Sequence, residues 1–205
     1  MIAGAAIAAA TRLMTGAVVE WQCERHPRSS RIYFANHASH LDFVVVWSAL
    51  PPDERSHTRP VAGRTYWERN GVRRYLSQSV FGALLVERAS GPGDAVAVAR
   101  ASVERMARTL EQGISLIVFP EGTRSPDGNV GSFKSGLYHL SCLRPEAELV
   151  PVHLENLNRI LPKGEMLPVP MLSRVVFGAP FRSSTDDKDA FLADARHALL
   201  SLRVS

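Results

Sequence analysis

Two short segments hold most of the side chains able to do chemistry. The first runs Asn36-His37-Ala38-Ser39-His40-Leu41-Asp42. A histidine can take a proton from a hydroxyl near neutral pH. It does so repeatedly only if its other ring nitrogen has a fixed acceptor, and a carboxylate both supplies that acceptor and stabilises the imidazolium that forms. His37 and Asp42 are the candidate pair. On one continuous helix, residues at this spacing would point about 140° apart, so the pair requires His37 on a turn and Asp42 at the start of a helix. The chain has seven histidines, so this spacing alone is weak evidence. His40 and His57 are read as surface histidines. Ser39 is a conceivable nucleophile, but no Gly-x-Ser-x-Gly elbow occurs in the chain, which disfavours a lipase-type serine hydrolase.

The second segment runs Phe119-Pro120-Glu121-Gly122-Thr123-Arg124-Ser125. Gly122 permits a tight turn or a close backbone approach to a ligand. The planar fork of Arg124 suits a phosphate. A local surface ion pair between Glu121 and Arg124 is the alternative.

Both segments follow apolar runs that must position them. Residues 31–36 read as a strand, and residues 114–119 as a buried strand ended by Pro120. In open α/β sheets functional residues gather in loops at the carboxyl ends of strands. Asp42 suits the N-cap of a helix that carries residues 43–50 to Pro51-Pro52. Residues 60–63, 84–88, 148–154 and 174–177 are further expected strands. The clearest helix covers 94–112, capped by Asp94 and closed by Gly113 at the C′ position. Its Val96, Ala99, Val103, Met106 and Leu110 form one expected buried stripe, and Arg100, Glu104, Arg105, Arg108 and Glu111 its solvated side. Residues 186–202 read as a closing helix with Phe191, Ala195 and Leu199 on one face. The alternation argues for a single α/β domain whose mixed, mostly parallel sheet is flanked by helices.

The 205 residues fit one domain, and 45% hydrophobic with 21% charged residues is globular composition. A net charge of +4 and a pI near 9.4 suit an anionic partner such as phospholipid headgroups. The basic residues are dispersed and no nucleic-acid motif accompanies them, so nucleic acid is not an expected partner. Cys23 and Cys142 are too few for a disulfide framework, which makes a reducing compartment the default. Cys23 with His26 lacks a second pair of ligands, so no metal is expected.

Residues 2–10 are small or apolar, Thr11 and Arg12 interrupt, and 13–19 resume the run. No early positive charge precedes the run as in a secretory signal, and Arg12 sits centrally in what would be a spanning helix. A helix lying in a membrane interface is expected, with packing of its alanine face on the domain as the alternative. The expected organisation is a membrane-associating segment over 1–30 and the catalytic domain over 31–205.

Together the two segments resemble the signature blocks of the glycerolipid acyltransferases typified by 1-acylglycerol-3-phosphate acyltransferase. Asn36 to Asp42 matches every fixed position of the family's Asn-His-x-Ser-x-x-Asp block. Phe119 to Ser125 matches its Phe-Pro-Glu-Gly-Thr-Arg-Ser block without a change. Gly82 to Arg88 fits the outline of the second block, Val150-Pro151-Val152 the fourth, and Phe133-Lys134-Ser135-Gly136 a Phe-Lys-x-Gly stretch.

The resemblance implies an enzyme that moves a fatty acyl group onto a lysophospholipid hydroxyl, using no cofactor and taking acyl-CoA or acyl carrier protein as donor. By the same resemblance His37 deprotonates the acceptor and Asp42 holds His37. Arg88 and Arg124 hold the acceptor phosphate in a pocket shaped by Glu121, Gly122 and Thr123. Lys134 adds positive charge, and Pro151 supports the site or the acyl tunnel. The implied partners are a lysophospholipid, the donor and a membrane surface. The implied location is the cytoplasmic face of a membrane, peripheral or weakly anchored by the N-terminus. The alternatives are another acceptor such as a lyso-aminolipid, thioester hydrolysis, or a lipid-binding module without catalysis. Residues 155–170, with Pro162, Pro168 and Pro170, read either as a loop covering the acyl site or as plain surface.

Overall fold

The computed structural model describes residues 2–22, 30–39, 41–87, 91, 93–125, 128–157, 173–182 and 185–203. At its centre is β2 (Arg31–Ala35), all five of whose residues are buried. The two-residue period of a strand sends Tyr33 and Ala35 to one face of the sheet and Ile32 and Phe34 to the other, and each pair enters a separate hydrophobic cluster. On either side of β2 run β5 (Ser115–Val118) and β6 (Glu148–Glu155), both parallel to it. Beyond β5 lie β3 (Thr58–Gly63) and β4 (Leu84–Val86), also parallel. Beyond β6 lies β7 (Arg174–Phe177), antiparallel, and then β1 (Val18–Trp21), parallel to β7. The seven strands therefore run β1-β7-β6-β2-β5-β3-β4. Five parallel strands buried on both faces need helices on both sides, and the fold is the expected single α/β domain.

On the first face, α1 (Ile2–Thr15) packs against α2 (Asp42–Ala49). A Cβ on Gly4 would stand 3.2 Å from the Trp47 ring. Arg12 donates to the carbonyls of Ser48 and Leu50. The charge that interrupts the apolar run thus satisfies the end of α2. Because β1 pairs with β7, the segment before residue 30 and the rest of the chain share one sheet. No helix among the described residues is long and apolar enough to cross a membrane. The short helices α3 (Pro52–Ser56), α4 (Arg64–Trp67) and α5 (Gly71–Tyr75), the last extended by a π turn over Leu76–Val80, complete this face.

The second face carries α6 (Ala95–Glu111), α7 (Gly136–Leu143) and α8 (Lys188–Leu200). The stripe expected on α6 is buried only in its second half. Val103 and Leu110 are buried, whereas Val96 is 81% exposed, because the first turns of α6 extend past the sheet. Asp94 precedes α6 without a side-chain capping bond. In α8, by contrast, Asp187 accepts the N–H of Ala190 at 2.8 Å, and Phe191, Ala195 and Leu199 are buried as expected.

Candidate active site

The carboxyl ends of β2 and β5 are neighbours, and each opens directly into one of the two chemical segments. Asn36 follows the last residue of β2. Its side-chain amide donates to the Leu154 carbonyl at 2.9 Å and accepts the Leu154 N–H at 2.8 Å. This imitates one more rung of the β2–β6 ladder beyond Ala35↔Val152 and fixes where the loop leaves the sheet.

His37 is held through its main chain. Its N–H donates to Glu121 Oε1 at 2.8 Å, and its carbonyl accepts the Ser125 N–H at 2.7 Å. Both bonds come from the second segment. Its ring stacks on Phe119 with centroids 4.4 Å apart. Its Nδ1 lies 2.8 Å from Asp42 Oδ2. A carboxylate only accepts, so Nδ1 is the donor in this contact, and in a neutral ring that leaves the lone pair on Nε2. The side chain is 23% exposed.

Asp42 is 1% exposed and is the first residue of α2, with Leu41 at the N-cap. The expectation that Asp42 caps its own helix is corrected. Its Oδ2 accepts the N–H groups of Ala38 at 2.7 Å and Ser39 at 2.8 Å, so the carboxylate draws the loop back over the helix start rather than capping the helix forward. Counting His37 Nδ1, one oxygen thus takes three contacts. Ser39 is buried and its Oγ accepts the Leu41 N–H at 3.3 Å, a loop-stabilising contact.

Glu121 is 7% exposed, and its two oxygens are taken by main-chain donors. Oε1 holds His37, and Oε2 accepts the Gly131 N–H at 2.8 Å. The carboxylate therefore ties three turns together. Gly122 has φ +71°, a conformation natural to glycine. A Cβ there would come within 2.7 Å of Lys134 Cε. Lys134 is held by its own N–H to the Pro120 carbonyl at 2.9 Å, so its stem lies across the glycine. Thr123 is exposed and Arg124 half-buried on the same turn. Pro151 is buried in β6 opposite Phe34, beside the site's central strand. Arg88, His40, Cys23, His26 and most of the stretch 155–170 lie outside the described residues. No group of three or more His, Cys, Asp or Glu among the described residues could hold a metal ion.

Sequence reasoning missed the positioning roles of Asn36, Phe119 and Gly131. Asn36 had a signal, since an amide directly after a buried strand has few other uses. Gly131 had none. Also missed was a cavity of about 590 Å³ behind the loop, lined in part by Asn36, Ala38, Asp42, His153, Arg196 and Arg203. His153 is 5% exposed, and its Nδ1, like Asp42 Oδ1, has no hydrogen-bond partner among the described residues. Burial lowers the His153 pKa, Glu155 opposes that shift and Arg203 adds to it.

A histidine–carboxylate pair at the carboxyl edge of a mostly parallel sheet, clamped by a second loop from the neighbouring strand, is the arrangement on which the site of this α/β protein is built. Residues 19–155 match the family model described as Acyltransferase, and the chain belongs to that family. It is 31% identical to a 1-acyl-sn-glycerol-3-phosphate acyltransferase of Limnanthes alba over 84% of this chain and 57% of that protein. It is 29% identical to the human 1-acyl-sn-glycerol-3-phosphate acyltransferase alpha over 86% of this chain and 59% of that protein. The chain thus spans a little under three fifths of the length of these relatives. Its fold is similar to the crystal structure of the 1-acyl-sn-glycerophosphate (LPA) acyltransferase PlsC from Thermotoga maritima. That match has TM-score 0.69 and 19% identity, and it covers 98% of this chain and 77% of the other.

Proposed function

We propose that the chain transfers a fatty acyl group from acyl-CoA or acyl carrier protein to the free hydroxyl of 1-acylglycerol-3-phosphate, forming phosphatidic acid at the cytoplasmic face of a membrane. The observation that carries this reading is the His37–Asp42 pair, 2.8 Å apart, with both main-chain groups of His37 fixed by the other signature segment. The names of the relatives support the choice of acceptor.

In this reading His37 Nε2 takes the proton of the acceptor hydroxyl as its oxygen attacks the thioester carbonyl. Asp42 stabilises the imidazolium. The C–O bond forms, the C–S bond breaks, and the imidazolium returns its proton to the leaving thiolate. No acyl-enzyme is formed and no cofactor takes part. Arg124, on the turn that carries Gly122 and Thr123, binds the acceptor phosphate together with Arg88. Lys134, drawn over Gly122, adds charge nearby, and Pro151 supports the strand beside the site.

The test is to incubate the protein with lauroyl- to oleoyl-CoA and a panel of lysolipids, following free thiol and lipid mass. Thiol release that depends on lysophosphatidic acid, with phosphatidic acid formed, is the expected result. Release without a lipid product would make the protein a thioesterase. Product from a lyso-aminolipid alone would move the reading to that acceptor.

A further inference from the structure

The segment between β3 and β4 has a composition that its packing does not explain. Residues 64–75 hold Arg64, Arg69, Arg73 and Arg74 against one acid, Glu68, so these twelve residues carry three of the chain's four net positive charges. Neither α4 nor α5 contains a buried residue. Arg64 is paired with Glu68 at 2.8 Å and with Glu87. Arg69, Arg73 and Arg74 make no ion pair among the described residues. Between these charges stand exposed apolar groups. Val72 is 70% exposed and Tyr75 57%. The two are three apart on α5 and share a face. Tyr66 is part-exposed beneath the Arg73 guanidinium, 4.2 Å from its ring centre.

The position of this patch is set by the sheet. β3 and β4 are parallel to β2 and β5, so α4, which follows Gly63 directly, begins at the edge where the His37 loop stands. Trp67 packs edge-on against Phe43, one residue past Asp42, at 5.3 Å. Leu76 and Val80 pack into the same cluster as Phe119, the residue under the His37 ring. The patch therefore shares both face and edge with the histidine. The end of α1 arrives at that edge as well. Val18 pairs with Arg174, and Arg174 with Glu155, three residues past the Val152 that stands level with Ala35. There Leu13 is 88% exposed, Met14 45% and Val18 56%.

We infer that the α4–α5 surface, formed by Arg69, Arg73 and Arg74 with Tyr66, Val72 and Tyr75, docks the protein onto an anionic lipid bilayer. Charge complementarity selects the occupant. Arginine heads suit anionic headgroups, tyrosines suit the interfacial layer, and Val72 with Tyr75 enters the acyl boundary. The geometry brings the bilayer to the side on which His37 opens, with Leu13 and Met14 as a second contact. This inference rests on the lipid-modifying reading of the site for its purpose but not for its test.

The full chain is sedimented with vesicles of phosphatidylcholine, with and without phosphatidylglycerol, at low and high salt. Binding is expected to need phosphatidylglycerol and to weaken with salt. At roughly fivefold per arginine, the triple substitution R69A/R73A/R74A should lower partitioning on the order of 100-fold. The Arg→Lys triple should keep most of it, and V72S/Y75S should weaken it at both salt levels. The substituted side chains are not buried, so thermal melts should match the parent and separate lost docking from lost fold. Normal partitioning of the R69A/R73A/R74A variant would overturn the inference, as would loss of binding with L13S/M14S alone while both patch variants bind normally. Patch-dependent binding by a protein that transfers no acyl group to any lysolipid would leave the docking surface standing and remove the catalytic reading.

Discussion

Replacing Glu121 by glutamine keeps its shape and removes one acceptor. Oε1 and Oε2 each accept a main-chain N–H at 2.8 Å, from His37 and from Gly131, and the side chain is almost fully buried. A glutamine offers one oxygen and one NH2 group. Whichever way the amide turns, its donors face a backbone donor, so one charge-assisted bond is lost and one buried N–H is left unpaired. That costs about 2–4 kcal/mol. For a domain of this size the melting temperature should fall by roughly 5–15 °C. The loop that releases its bond carries either the base itself or the turn braced against it, and a 1 Å displacement of a reacting group costs up to about 100-fold in rate. Glu121→Gln should therefore lower kcat by about 10- to 100-fold and leave the KM for the lysolipid within about twofold. A melting curve and a thiol-release assay over a range of acceptor concentrations read both quantities. A variant of unchanged stability in which only the acceptor KM rises would refute the reasoning, because Glu121 would then act on substrate rather than on His37.

Asp42→Asn should fold, since its amide oxygen can take the place of Oδ2 in front of the three donors. It loses the charge opposite the imidazolium, and kcat should drop by about 10²- to 10⁴-fold; normal turnover would end the role assigned to this carboxylate. Gly122→Ala places a side chain at φ +71° and against the Lys134 stem. Lys134 can move aside, so the backbone term remains, about 1–2 kcal/mol, and a thermal melt identical to the parent would contradict it. His153 has a pKa lowered in the folded state, chiefly by burial. The unfolded chain then binds more protons just below the ordinary histidine pKa of about 6.5, so stability is full above that pH and declines as pH falls through the window beneath it. Urea midpoints at neutral and mildly acidic pH should fall more for the parent than for His153→Gln, and equal falls would show that His153 is not responsible.

The legible parts of the fold were those in which local pattern and burial agree. β2, β5, β6 and β7 were readable because each is a short apolar run ended by a turn or a chemical residue, and α8 because Phe191, Ala195 and Leu199 repeat at helical spacing. β1 was not, because Val18 and Val19 continue an apolar run that began in a helix, and only pairing with β7 across the sheet makes them a strand. The same limit applied to α6, where the periodicity of Val96 and Ala99 continues a stripe that the sheet does not extend far enough to cover. In the site, residue types and spacing led to His37 and Asp42 and to the turn at Glu121. They did not show that the Glu121 carboxylate holds the His37 backbone, or that Oδ2 of Asp42 gathers donors from upstream. Those are contacts between segments, or bends of a loop, that sequence spacing does not encode.

The partner of β1 is made late. Val18 pairs with Arg174, 156 positions further on, and among the described residues β1 borders no strand other than β7. At about 5–20 residues per second, a ribosome needs roughly 8–30 s to reach β7 after it has passed β1. For that interval β1 has no edge to join, while the alanine-rich helix before it already has α2 to pack against. Strand β1 thus precedes its partner by most of the intervening domain and is secured only once β7 has been made. Any chaperone or lipid surface that meets the growing chain meets this segment while its strand is still unpaired.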